Sequence, residues 1–225
     1  MINKVYLIDN MEFMHDKPDN YYELAIVDPP YGIFTKDQRT GFVKKTICAK
    51  QSKKIEKWDN RPTKEYFKEL KRVSKNQIIW GMQYFTTDLK DFSQLIVWNK
   101  LTGNNFFTDG EAAYCSIKGT LRIFNHQWCG AFKDSERQEK AIHPTQKPVA
   151  LYKWLLTNYA KPNDKIFDSH VGSGSSRIAC YELGFDFEGC ELDKDYWQAQ
   201  EKRFELEKAK IDNRFYIPQE ENNLF

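Results

Sequence analysis

Short apolar runs alternate with amphipathic stretches along most of this chain. Val5-Tyr6-Leu7-Ile8 and Leu24-Ala25-Ile26-Val27 have the length and composition of buried strands. Residues 62–75 place Phe67, Leu70 and Val73 near helical spacing, with Pro62 suited to a first turn. Ile78-Ile79-Trp80 and Leu95-Ile96-Val97-Trp98 predict two further strands, with a short helix around Tyr84–Asp91 between them. Alternation of strand and helix argues for a parallel α/β sheet.

The pattern then changes. Ala112–Ile117 and Leu121–Phe124 are strand-like and separated by Lys118-Gly119-Thr120, which predicts a hairpin. A polar stretch runs from about 130 to 140. Residues 148–160 carry Val149, Tyr152, Leu155, Leu156 and Tyr159 on one side of a helix. Lys165-Ile166-Phe167 predicts a strand, 175–183 a helix, Phe187–Cys190 a strand and 194–209 a long charged helix. Residues 219–223 read as a solvated tail. The expected fold is a single α/β domain over 1–225: a doubly wound, mostly parallel sheet with an antiparallel hairpin, and a small insertion at 101–140.

Composition narrows the class. The chain has 225 residues and a formal net charge of +2, so nucleic-acid binding has to be argued from charge placement, not from the total. No run approaches the roughly 18 apolar residues of a membrane span. The first nine residues are too short and too soon acidic for a signal peptide. The five cysteines show no CxxC spacing, which speaks against a zinc site or a disulfide framework and fits a reducing cytoplasm; no metal is expected.

Two motifs carry chemistry. Asp28-Pro29-Pro30-Tyr31 ends an apolar run. It sets a carboxylate beside a carbonyl held by prolines, which have fixed φ and no N–H. Phe167-Asp168-Ser169-His170-Val171-Gly172-Ser173-Gly174-Ser175-Ser176 lies between a strand and a helix, where glycines let backbone approach a ligand closely. Glu191 falls about 20 residues beyond that turn, the spacing of a ribose-binding carboxylate. Arg177 breaks the dinucleotide fingerprint, and no Gly-Lys-Ser/Thr of a P-loop follows.

Together, and in this order, the motifs resemble the amino-group DNA methyltransferases that use S-adenosylmethionine, in their permuted β subgroup. The resemblance runs from Val5 to about Phe204. It implies the class I methyltransferase sheet in permuted order. It implies that Asp28, Pro29, Pro30 and Tyr31 hold and stack a flipped base, that Asp168 meets the methionine amino group, and that Gly172, Ser173, Gly174 and Ser175 wrap the cofactor while Glu191 takes its ribose. Asp9, with Asn10 beside it, matches the position used for the cofactor's adenine amino group; an Asp there serves equally as a helix cap. His143-Pro144-Thr145-Gln146-Lys147-Pro148 resembles the segment that walls the cofactor pocket, with His143 and Gln146 in the wall and Lys147 either at the cofactor carboxylate or in solvent. Where the family usually has Asp-Pro-Phe, this chain has Asp168-Ser169-His170, so His170 carries no inherited role.

The implied reaction is site-specific methylation of adenine N6 in double-stranded DNA, in the manner of restriction-modification enzymes. Asp at position 28 favours adenine over cytosine N4. Cytosine-N4 transfer and a catalytically silent DNA-binding subunit are the alternatives, and a homodimer is compatible with the subgroup. Residues 34–58 hold eight Lys or Arg against Asp37 and Glu56. Lys44, Lys45, Lys53 and Lys54 there are candidate phosphate contacts. The stretch 101–140 offers Asn104, Asn105, Arg122, Asn125, His126, Gln127 and Arg137 for base edges.

Overall fold

The computed structural model describes residues 1–33, 59–90, 92–103, 108–129, 132–137 and 139–215. The basic segment 34–58 and the tail at 219–223 lie outside them, as do Asn104 and Asn105. In chain order the elements are β1 (Asn3–Leu7), α1 (Asn10–His15), β2 (Tyr22–Val27), α2 (Lys64–Val73), β3 (Ser74–Trp80), β4 (Gln94–Asn99), β5 (Gly110–Cys115), β6 (Arg122–Asn125), β7 (Trp128–Cys129), β8 (Phe132–Lys133), α3 (Val149–Tyr159), β9 (Lys165–Asp168), α4 (Ser175–Leu183), β10 (Asp186–Glu191) and α5 (Lys194–Phe215).

Eight strands form one sheet in the order β1-β10-β9-β2-β3-β5-β4-β6, and β7 with β8 makes a separate ribbon. The first five strands in that order run parallel. Alternate residues of the parallel strands feed cores on opposite faces of the sheet. Leu24, Ile26, Ile78, Trp80 and Ile166 pack with Leu151, Leu155 and Ala179 of α3 and α4. Ala25, Val27, Ile79 and Phe167 pack with Phe13, Met14, Phe67 and Leu70 of α1 and α2. Because both faces are covered, β2 is almost continuously apolar and β3 ends in the apolar run Ile78-Ile79-Trp80.

Some expectations need correction. The hairpin between β5 and β6 does not form. β5 lies antiparallel between β3 and β4, while β6 pairs parallel with the far edge of β4. The reason is burial: Ala113, Tyr114 and Cys115 are fully enclosed and demand neighbours on both sides, whereas Arg122, Ile123 and Asn125 are exposed and suit an edge. Gln94 reinforces this by donating to the Thr120 carbonyl, which pins the turn at 118–120 to β4. The expected helix at 84–91 is instead one 3-10 turn, Met82–Tyr84, ended where Phe85 is anchored in the core and the β-branched pair Thr86-Thr87 follows. The last helix continues past 209 to Phe215, and α2 begins at Lys64, so Pro62 precedes its cap Thr63. Within the stretch 101–140, β5 and β6 are built into the main sheet, and only the β7–β8 ribbon stands apart.

Leu155 is fully buried between α3 and the sheet. Leu155→Ala is expected to lower unfolding free energy by about 3 kcal/mol, read from urea denaturation with an unchanged slope.

Candidate active site

Parallel strands place their carboxyl ends on one side of the sheet. The chain turns left from β9 toward β10 and right from β2 toward β3, so the gap between β9 and β2 is the topological switch point where such sheets bind ligands. Asp28 follows β2, Asp168 ends β9, Glu191 ends β10 and Asp9 follows β1. Outside these ends opens a cavity of ≈ 580 Å³, lined among others by Asp9, Asn10, Asp28, Pro29, Pro30, Tyr31, Glu111, His143, Gln146, Lys147, Gly172, Ser173 and Glu191. That size lies within the range of small-molecule sites.

At one end, Asp28 is held on both oxygens. The Tyr31 hydroxyl donates to Oδ1 at 2.6 Å, and the Lys147 ammonium donates to Oδ2. The Tyr31 ring stacks on Tyr84, with centroids 4.8 Å apart, and meets Phe85 edge-on. Gly81, at φ +73°, makes room for it: a Cβ there would sit 2.2 Å from the Tyr31 ring. Lys147 is buried, and its second partner is Glu111, Oε2 at 3.0 Å; Lys100 closes the other Glu111 oxygen at 2.5 Å. Burial pushes the Asp28 carboxyl up, against the pull of Lys147. Burial also opposes charge on Glu111, but Lys147 and Lys100 bring its carboxyl down to about 2. Burial works against the Lys147 ammonium too, yet Asp28 and Glu111 hold its pKa above the ordinary value. Two carboxylates and two ammonium groups thus form a cluster with no net charge.

Lys147 was expected at a cofactor carboxylate or in solvent. The structure places it on Asp28 and Glu111 instead, because these are the anions its short reach from Gln146-Lys147-Pro148 meets inside the cavity. Glu111, Gly81 and Lys100 were not singled out as site residues from the sequence. Their pairing is not local, since their partners lie on other strands or connecting segments.

At the other end, Gly172 sits at φ +53° and donates its N–H to Glu191 Oε2 at 2.9 Å, while Asp193 N–H binds Oε1 at 2.9 Å. Gly174, at φ +77°, is the cap position of α4, and Ser175 Oγ donates to the Lys147 carbonyl at 2.7 Å. Gly174 and Ser175 therefore shape the turn from behind and do not line the cavity. The Asp168 carboxyl, 1% exposed, accepts from His170 N–H at 3.0 Å and Ser176 Oγ at 2.6 Å, and Asp168 is not among the residues that line the cavity.

Asp9 caps α1, one oxygen accepting from Met11 and Glu12 N–H, and the residue also borders the cavity. Gln146 Oε1 accepts from Ile142 N–H, and its buried Nε2 has no acceptor among the described residues. His143 Nδ1 is engaged by Thr145, and its ring meets Tyr196 edge-on at 4.4 Å. His170 is fixed at both ring nitrogens, Nε2 3.0 Å from Asn10 Nδ2 and Nδ1 2.8 Å from Ser169 Oγ. Burial brings its pKa down to about 4, which keeps the ring neutral and removes it from acid–base chemistry at neutral pH. Arg122, on β6, and Arg137, in the loop after β8, are exposed and are not among the residues that line the cavity. Lys44, Lys45, Lys53 and Lys54 lie outside the described residues.

The family model for DNA methylases of the N6/N4 type matches residues 118–202. The chain is similar to N6/N4 DNA methylases over that stretch. Type II methyltransferase M.BglII of Bacillus subtilis is 25% identical over 240 residues, covering 87% of this chain and 67% of that protein. The structure of M1.HpyAVI in complex with SAM superposes with a TM-score of 0.59 at 21% identity, covering 90% of this chain and all of that one. The cytosine-N4-specific PvuII DNA methyltransferase superposes at 0.57 and 13% identity, covering 95% and 93%. These likenesses establish the class I methyltransferase fold.

Burial brings the Asp168 carboxyl up to about 7, against about 3.9 in an unfolded chain. The fold therefore binds this proton more tightly, and its contribution to stability, complete below about pH 4, is lost as pH rises through 7. Asp168→Asn removes that dependence. Its stability relative to the parent is expected to rise between pH 4 and 7 and then level off, over a span on the order of 4 kcal/mol. A constant difference in urea titrations across this range would refute the assignment.

Proposed function

We propose that this chain is an S-adenosylmethionine-dependent DNA methyltransferase acting on adenine N6. The observation that carries the reading is the meeting of Asp28-Pro29-Pro30-Tyr31 and the Gly172 turn with Glu191 in one cavity at the switch point. The residues present fit the cofactor: a glycine backbone open to the cavity, a carboxylate at the end of β10 and the free amide donors of Gln146. When bound, S-adenosylmethionine supplies an electrophilic methyl group.

An aromatic exocyclic amine is a poor nucleophile, because its lone pair is delocalised into the ring. Asp28 and the Pro29 carbonyl accept its two hydrogens and localise that pair on nitrogen. The proline pair keeps the carbonyl fixed. Tyr31, clamped between Asp28 and Tyr84, offers its remaining face to the flipped base. The raised basicity of the buried Asp28 carboxylate suits it to take the proton that nitrogen sheds after transfer. Carboxylate at position 28 favours adenine. Transfer to cytosine N4 is the second reading, since a cytosine-N4-specific enzyme shares the fold. The complete set of groups around Asp28 speaks against a silent subunit.

Unmethylated DNA incubated with the protein and S-adenosylmethionine should yield N6-methyladenine by nucleoside mass spectrometry, and Asp28→Ala should lower the yield at least about 100-fold. N4-methylcytosine would keep the mechanism and change the base; no methylated base would overturn the proposal. Lys44, Lys45, Lys53 and Lys54 are assigned to phosphates. Neutralising all four should weaken DNA binding and flatten its salt dependence; an unchanged slope removes that assignment.

A further inference from the structure

The mechanism just given leaves Lys147 and Glu111 without a task. Lys147 is 4% exposed and lines the same cavity as Asp28 and Tyr31. A buried ammonium is costly to hold even when paired, and an apolar side chain of similar volume would fill the space without that cost. A chemical reason for the cation is therefore needed, and its neighbours supply one.

On Asp28 the ammonium presents an N–H where the amine of the base must present its own. The incoming amine takes over that acceptor, and Glu111, already 3.0 Å from the ammonium, keeps Lys147 beside it. Lys100 fixes Glu111 from the other side and strand pairing fixes its backbone, with Glu111 opposite Trp98. The result is an acceptor, Asp28, next to a donor, Lys147. An ammonium has three N–H groups, so two remain after Glu111 is served, and one of them can face the base. The amino edge of adenine has the matching order: the N6 amine donates and the adjacent ring nitrogen N1 accepts. Guanine and thymine carry N–H at the corresponding ring nitrogen, which would face the ammonium.

We propose that Lys147, positioned by Glu111, donates to the ring nitrogen beside the target amine, so that Asp28 and Lys147 together read the amino edge of the flipped base. This rests on the reading of the cavity as a base-methylating site.

The test uses a duplex with the mapped methylation site, carrying at the target adenine, 1-deazaadenine (C–H in place of N1) or 7-deazaadenine (N1 retained). Loss of N1 weakens pairing with thymine and makes flipping easier. An enzyme without the proposed contact would be as fast or faster on 1-deazaadenine. Loss of a hydrogen bond to a charged donor instead slows single-turnover methylation by about 10- to 100-fold, with 7-deazaadenine little changed. Binding of the duplexes without turnover should show the same order. In Lys147→Met the adenine to 1-deazaadenine rate ratio should collapse to about 1, and in Glu111→Gln it should shrink. A merely structural role for either residue would lower both rates and leave the ratio. Equal wild-type rates on adenine and 1-deazaadenine overturn the proposal while the function stands, and they need no variant that might misfold. Failure to methylate any base overturns the underlying function instead. If the product is N4-methylcytosine, 3-deazacytosine takes the place of 1-deazaadenine, with the same outcomes.

Discussion

The site depends on charges buried together where three strand ends and one connecting segment meet. Asp28 comes from the end of β2, Glu111 from the start of β5, Lys100 from just beyond β4 and Lys147 from the segment before α3. Separately, each would be an uncompensated charge in a poorly hydrated place, and breaking such a pair costs more than forming it gains. Together they are neutral. Their mutual requirement ties β5 into the sheet: only a strand between β3 and β4 brings Glu111 within reach of both lysines. Gly110 allows the approach, since a Cβ there would lie 2.6 Å from the Trp98 carbonyl oxygen.

The same cluster links the two halves of the cavity. Lys147 holds Asp28 through its side chain, and its backbone carbonyl accepts from Ser175 at the start of α4. Arg203 of α5 donates to the Ser173 carbonyl and to Ser175 Oγ, and it pairs with Glu136 and Glu139 in the loop after β8. Glu136 in turn accepts from the first N–H of α3. The glycine turn, the 143–148 segment and the loop that leaves the β7–β8 ribbon are thus fastened by one guanidinium. Its planar fork of donors suits it to several acceptors at once. A group bound against Gly172 and a group bound against Asp28 would share this frame, which is the geometry a two-substrate transfer requires.

Legibility in the sequence followed the range of the interactions. The parallel strands could be read because burial on both faces leaves continuous apolar runs such as Leu24–Val27, and α4 because Gly174 and Gly184 bracket it. The Asp28–Tyr31 and Gly172–Gly174 motifs are local, and each sits at a strand end as its composition suggests. The partner of β5 could not be read, since strand pairing is decided by which edges are buried and not by the turn that follows. Nor could the direction of a side chain: Asp168 turns back onto Ser176, and Lys147 finds two carboxylates more than 30 residues away in sequence. The fit of Tyr31 over Gly81 is equally long-range and shows in the sequence only as an unremarked glycine.

His170 shows how a departure from a family pattern is absorbed. An imidazole in place of a phenyl ring adds two nitrogens that must be satisfied once water is excluded. Ser169, immediately before it, serves one, and the Tyr66 hydroxyl of α2 lies 2.7 Å from the same Ser169 Oγ. Asn10 of α1 serves the other and also reaches the Ser169 carbonyl at 3.5 Å. The ring still meets Tyr66 edge-on, as an apolar aromatic would. The substitution therefore binds α1 and α2 to the cofactor-side turn through hydrogen bonds, at a point where a phenyl ring would supply packing alone. A neutral imidazole held in this way adds no positive charge to a cavity proposed to receive a sulfonium. The low pKa that burial imposes on His170 is in that sense a condition for the fold to keep the histidine there.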